Sequence, residues 1–162
     1  MARQSKGMRL LPALVLAGAL LGGALAGCGV VPQGTQNSEE ATVDYGDVAE
    51  AVTTAVPRVV AVEDPSRWKN GFGHGLALSL VTDSAEPFTA EELDAVVETV
   101  WRTLPWEPNT IELIAGTVDA GDPVDLRAAA ADLDQLVVRN AGQGGVTLTG
   151  MDARYGDWAA PE

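Results

Sequence analysis

Hydrophobic and polar positions along this chain follow two periods, and the switches between them mark out its elements. Val48, Val52, Ala55 and Val56 repeat at helical spacing until Pro57, which predicts a first helix. Arg58 to Val62 is β-branched and reads as a strand. Glu63-Asp64-Pro65-Ser66 reads as the turn after it. A second strand follows from roughly Gly71 to Thr82, where Leu76, Leu78 and Leu80 alternate with Ala77 and Ser79. Thr89 followed by Glu92 is a capping box. Behind it Leu93, Val96, Val97, Val100, Trp101 and Leu104 fall on one face of a helix, which Pro105 and Pro108 end. Thr110 to Ala115 reads as a buried strand. Asp122 before Pro123 predicts another helix start, with Leu126, Ala129, Ala130, Leu133 and Val137 as the apolar stripe. Gly142, Gly144 and Gly145 break the chain before a short strand, Val146 to Thr149. The tail from Met151 has no period but carries Tyr155 and Trp158.

The element order α-β-β-α-β-α-β predicts one α+β domain over residues 47–162, a two-layer sandwich of about four strands with helices on one face. In general plan this resembles ferredoxin-like folds, a likeness of architecture that leaves function open.

Before that domain the pattern changes twice. Residues 1–9 carry Arg3, Lys6 and Arg9 without an acid, and Leu10 to Leu25 are all apolar or small. A basic start, an apolar run and small residues at its end describe a secretory signal peptide over residues 1–27. The run is too short, and too rich in glycine, to span a bilayer, which takes about 20 apolar residues. Leu25-Ala26-Gly27-Cys28 resembles the lipobox of bacterial lipoproteins, and Cys28 is the one cysteine of the chain. The resemblance implies diacylglycerol on Cys28, cleavage between Gly27 and Cys28, and a protein anchored by lipid on the extracytoplasmic face of the cell membrane. Each buried CH₂ of an acyl chain contributes about 0.8 kcal/mol, so two or three chains anchor a protein without a spanning helix. Residues 28–46 are rich in Gly, Gln, Ser, Asn and acid, without period, and read as the lipidated cysteine and a flexible tether.

Charge narrows the partners. The 162 residues hold 10 Lys+Arg against 23 Asp+Glu, a net charge of -13. Loss of residues 1–27 removes Arg3, Lys6 and Arg9 and no acid, which takes the charge from -13 to -16. Such a body lacks the clustered cations that bind a phosphate backbone, so no nucleic acid is expected. Anionic head groups repel it too, which leaves the membrane contact to the lipid. One cysteine excludes an internal disulfide framework, and one histidine excludes a His-rich metal site. Neither a metal nor a cofactor is expected.

Among polar candidates, His74 sits in Gly71-Phe-Gly-His-Gly75. As a general base it would need a nucleophile such as Ser66 or Ser79, giving a small envelope hydrolase. No G-x-S-x-G or H-E-x-x-H accompanies it, and the glycines fit a bent hairpin strand better. Asp119, Asp122 and Asp125 lie close together but lack the calcium-loop pattern, and Asp122 and Asp125 fit a helix start. Glu91, Glu92, Asp94 and Glu98 belong to the solvated face of the long helix. The aromatics that break periodicity remain: Trp68 and Trp106 beside turns and Trp158 in the tail are candidate contacts for a partner, against the alternative that they plug the ends of the sandwich. The expectation is therefore a non-enzymatic binding or assembly module of the envelope, with an envelope protein as its candidate partner.

Overall fold

The computed structural model describes residues 42–119 and 121–162. The signal-like segment, Leu25-Ala26-Gly27-Cys28 and the tether as far as Ala41 lie outside the described residues.

Helix α1 (Val48–Ala55) buries Val48 and Val52, while Ala55 turns to solvent and Val56 is buried just past the end. Strand β1 then runs from Val59–Asn70, twice as far as its β-branched start. The turn predicted at Glu63–Ser66 is instead a bulge: Asp64 adopts φ 51° and the pairing register shifts between Glu63 and Ser66. A proline is tolerated there because β1 is an edge strand, whose outer N–H groups need no partner. The reversal falls at Gly71 (φ 61°) and the fully exposed Phe72, after which β2 covers Gly73–Thr82.

Helix α2 (Ala90–Thr103) forms as its periodicity predicts. Thr89 Oγ1 accepts the Glu92 N–H at 3.2 Å, and Glu92 Oε2 accepts the Thr89 N–H at 2.9 Å, closing the capping box. Leu93, Val96, Val97, Val100 and Trp101 are buried along one face. Strand β3 (Pro108–Thr117) returns parallel to β2.

The chain departs most from expectation after β3. Asp122 caps no helix. Its carbonyl accepts the Thr117 N–H, Pro123 bridges to Gly116, and the Val124 N–H donates to Ala115. The backbone from Asp122 to Val124 thus pairs in extended form with the end of β3, so no helix begins at Pro123. Only the short helix α3 (Arg127–Ala131) follows. Leu126, Ala129, Ala130 and Leu133 are buried as predicted, but Gln135 (φ 72°) redirects the chain. The exposed Val137 thereby opens strand β4 (Val137–Gly142) instead of closing a helix. Gln143 (φ 47°) and Gly144 (φ 80°) make a two-residue left-handed turn into β5 (Gly145–Thr149), the geometry that matches strand twist in a tight hairpin. Helix α4 (Met151–Tyr155) ends the fold.

The domain is thus α+β, with four helices among the described residues and a mixed five-stranded sheet in the order β1-β2-β3-β5-β4. Only β2 and β3 run parallel. Both the count of four strands and the ferredoxin-like order give way to this sheet, because β4 begins at Val137, the last residue of the predicted helical stripe, and runs on through residues with no predicted element. Leu76, Leu78, Leu80, Ile111, Leu113, Val146 and Leu148 share one core with the apolar faces of the helices. The residues between them on the strands, from Ala77 and Ser79 to Glu112, Ile114, Thr147 and Thr149, form an opposite face that stays partly exposed.

Candidate functional site

That open face has a definite chemistry, which follows from strand register. Residues directly opposite on paired strands share a face. Trp68 lies opposite Gly75, and Gly75 lies beside Thr110. Toward the other edge of the sheet, on the same face, Val137 pairs with Thr149 and Arg139 with Thr147, which in turn pairs with Glu112. The open face therefore gathers an indole, three threonine hydroxyls, a guanidinium and a carboxylate.

Trp68 owes its position to a glycine. Its ring atoms crowd the place where a β-carbon of Gly75 would stand, so the indole packs onto bare backbone. An aromatic side chain covering a cross-strand glycine restores the packing which the missing side chain would have supplied. Next to it Asn70 Nδ2 donates to Thr110 Oγ1 at 2.7 Å and to Asn109 Oδ1 at 3.1 Å, while Asn109 Nδ2 donates back to the Asn70 carbonyl at 2.9 Å. Thr147 Oγ1 donates to Glu112 Oε2 at 3.4 Å. These bonds tie Asn70 to Asn109 and Thr110, and Thr147 to Glu112. The cleft between Trp68 and Arg139 measures about 310 Å³. A second cleft of about 360 Å³ lies farther along the same face, lined by Ser79, Ile114, Val118 and Pro123.

The other candidate residues are dispersed. His74 belongs to the opposite face of β2, where its ring meets Trp106 edge-on at 6.0 Å. Ser79 lies on the open face, and Ser66, paired with Ala77, lies there too. Neither serine is brought to the histidine. Trp106 is a packing residue: its Nε1 donates to the Asp44 carbonyl at 2.9 Å, Tyr45 meets it edge-on at 6.4 Å, and the Arg67 guanidinium sits 5.4 Å from its ring centroid. Asp44 and Tyr45, which read as tether, thus contact the domain. Trp158 is half-buried against the core with its Nε1 enclosed and unpartnered. Of the three tryptophans proposed as contacts, Trp68 alone stands on the open face.

The acids serve structure. Asp94 takes a two-pronged bond from Arg154, at 2.7 and 2.8 Å, and the Tyr155 hydroxyl at 2.6 Å. The Arg154 bond holds the Asp94 carboxyl below its ordinary range, and burial with the same carboxylate pushes the Tyr155 hydroxyl up. Burial raises Glu92, but the Thr89 N–H and the Arg58 charge outweigh it and leave this carboxyl lowered. Glu98 pairs with Arg102. Asp125 binds Arg127, whose side chain and N–H lower its pKa. Among the described residues no group of three or more His, Cys, Asp and Glu side chains converges to hold a metal ion, and no helix is long and apolar enough to cross a membrane.

Compared with known family models, curated proteins and solved structures, the chain matches none.

Sequence reasoning singled out Trp68 but missed Asn70, Thr110, Arg139, Thr147 and Thr149. A signal existed for two of them, since Thr147 and Thr149 alternate with Val146 and Leu148. The others emerge only from the register that brings β1, β3 and β4 to one face.

Proposed function

We propose that this chain is a lipid-anchored module of the bacterial cell envelope that works by binding, through the open face of its sheet. The domain acts as two layers, with the helices and core on one side and the binding surface on the other. The observation that carries the reading is the Trp68 indole laid on Gly75 at the edge of a cleft whose other walls are the Val137 side chain and hydroxyl, amide and guanidinium groups. Exposed aromatics flanked by fixed polar groups are the common form of a recognition surface. The separation of His74 from Ser66 and Ser79 weighs for binding over hydrolysis, since acyl transfer needs nucleophile and base within hydrogen-bond reach. The anchor rests on Leu25-Ala26-Gly27-Cys28, with cleavage between Gly27 and Cys28 and acyl chains on Cys28.

The test has two arms in a bacterium that processes lipoproteins. A clickable fatty acid should label the wild type in the membrane fraction and leave Cys28→Ala unlabelled, with its precursor uncut. Trp68→Ala should keep the label and the fold yet lose association with the envelope layers that retain the wild type. Equal labelling of Cys28→Ala would refute the anchor, and equal retention of Trp68→Ala would refute the binding face.

A further inference from the structure

We propose that the cleft between Trp68 and Arg139 binds a neutral saccharide chain, an inference that rests on the binding-face reading above. A sugar ring presents two chemistries at once: a face of C–H groups that packs on an aromatic plate, and an equatorial rim of hydroxyls that both donate and accept. The cleft supplies both. Trp68, backed by Gly75, offers the plate. Around it stand Asn70, Thr110, Thr147, Thr149 and Arg139, groups that donate or accept across short distances. Asn70 is held by Thr110 and Asn109, so that side of the cleft is ordered in advance and loses little freedom on binding. At about 310 Å³ the cleft sits at the small end of ligand pockets, the size for a short stretch of a chain crossing an open surface.

Charge selects the neutral class. Arg139 is the one charged residue lining the cleft, Glu112 and Glu63 lie elsewhere on the same face, and the whole chain carries -13, so a polyanionic glycan meets no basic patch to offset repulsion. A purely apolar ligand would cover the Arg139 guanidinium and the Thr149 hydroxyl without offering either a partner.

The experiment uses the full-length lipoprotein, purified in detergent micelles and titrated by calorimetry with cellotetraose, chitotetraose, xylotetraose and galactotetraose, with dextran sulfate as the polyanion. At least one neutral oligosaccharide should bind with a Kd tighter than about 1 mM. Trp68→Ala should weaken it by about tenfold or more. Arg139→Ala and Thr149→Val alter partly or fully exposed side chains that the fold does not need, so they should weaken binding several-fold with the thermal melt unchanged. Phe72→Ala, at the exposed turn, should bind as the wild type does. No binding of any of the four, binding indifferent to all three cleft variants, or preference for dextran sulfate would each overturn the proposal. A photo-crosslinker at Thr149 in living cells separates this failure from that of the parent reading. An envelope protein captured there, with no oligosaccharide bound, overturns the saccharide and leaves the binding face standing. If neither is seen, both fall.

Discussion

The Trp68 indole rests on Gly75, its partner across the β1–β2 pair, at the point where any larger residue would displace it. This contact joins stability and the proposed recognition in one place. It holds down the outer strand beyond the Asp64 bulge, and it presents an aromatic plate on the open face.

Gly75→Ala should therefore do two things at once. Its methyl group collides with the indole, and overpacking of this kind costs about 1–3 kcal/mol. Tryptophan emission should shift as the ring lifts from the sheet. In Trp68→Ala the collision is gone, so the double variant should be less destabilised than the sum of the singles by about 1 kcal/mol. Additive urea midpoints across this cycle would contradict the contact.

The long helix offers a cleaner test of packing. Val97 is fully buried on α2, whereas Glu98 is exposed beside it. Val97→Asp puts an unpaired charge into the core and should unfold the domain. Glu98→Ala loses a surface pair with Arg102 and should cost less than about 0.5 kcal/mol. Circular dichroism melts decide between these expectations.

How far sequence reaches is visible in these same elements. Helix α2 was legible in full, because cap, stripe and stop all lie within one continuous segment and agree. The core faces of β2 and β3 were legible for the same reason. Strand β4 was not: Leu133 and Val137 fit a helical spacing, yet the helix stops at Ala131 and the left-handed Gln135 turns the chain into the strand that pairs with β5. The Glu63–Ser66 segment looked like a turn because Asp and Pro favour turns, and an edge position turned it into a bulge. Trp68 could be named from its sequence context. Its separation from Trp106 could not, since strand register sets the face of Trp68 while Trp106 lies in the loop between α2 and β3.

The pairing of Asp94 with Arg154 predicts a pH dependence. The bond lowers the folded carboxyl pKa below the ordinary value near 3.9, so the folded state holds this proton less tightly than the unfolded chain does. Its stabilisation is complete above about pH 5 and is lost as pH falls through 3.9 toward the lowered value. Asp94→Asn keeps the shape and removes the charge. It should cost about 1–2 kcal/mol at pH 7, a figure reduced because both side chains keep partial exposure. The deficit should shrink as acid protonates the wild type. Urea midpoints measured from pH 7 to pH 3 should converge, and parallel curves would show that the bond contributes nothing.

The two tryptophans of the hairpin end should separate by phenotype. Trp106 is enclosed by Tyr45, His74 and Arg67 and donates to the Asp44 carbonyl, which fastens the segment before α1 to the end of the sheet. Trp106→Ala empties that cluster and releases the exposed Asp44 carbonyl to water, with a cost of about 2 kcal/mol. Amide exchange should quicken at Tyr45 and through α1, because their tie to the sheet is gone. The open face is untouched by this change, so retention in the envelope should persist wherever the variant remains folded. Trp68→Ala should show the reverse balance, with a smaller loss of stability, ordinary exchange in α1 and lost retention. Equal stability losses with equal retention in the two variants would mean that both rings serve packing alone, and the open face would lose its claim to recognition.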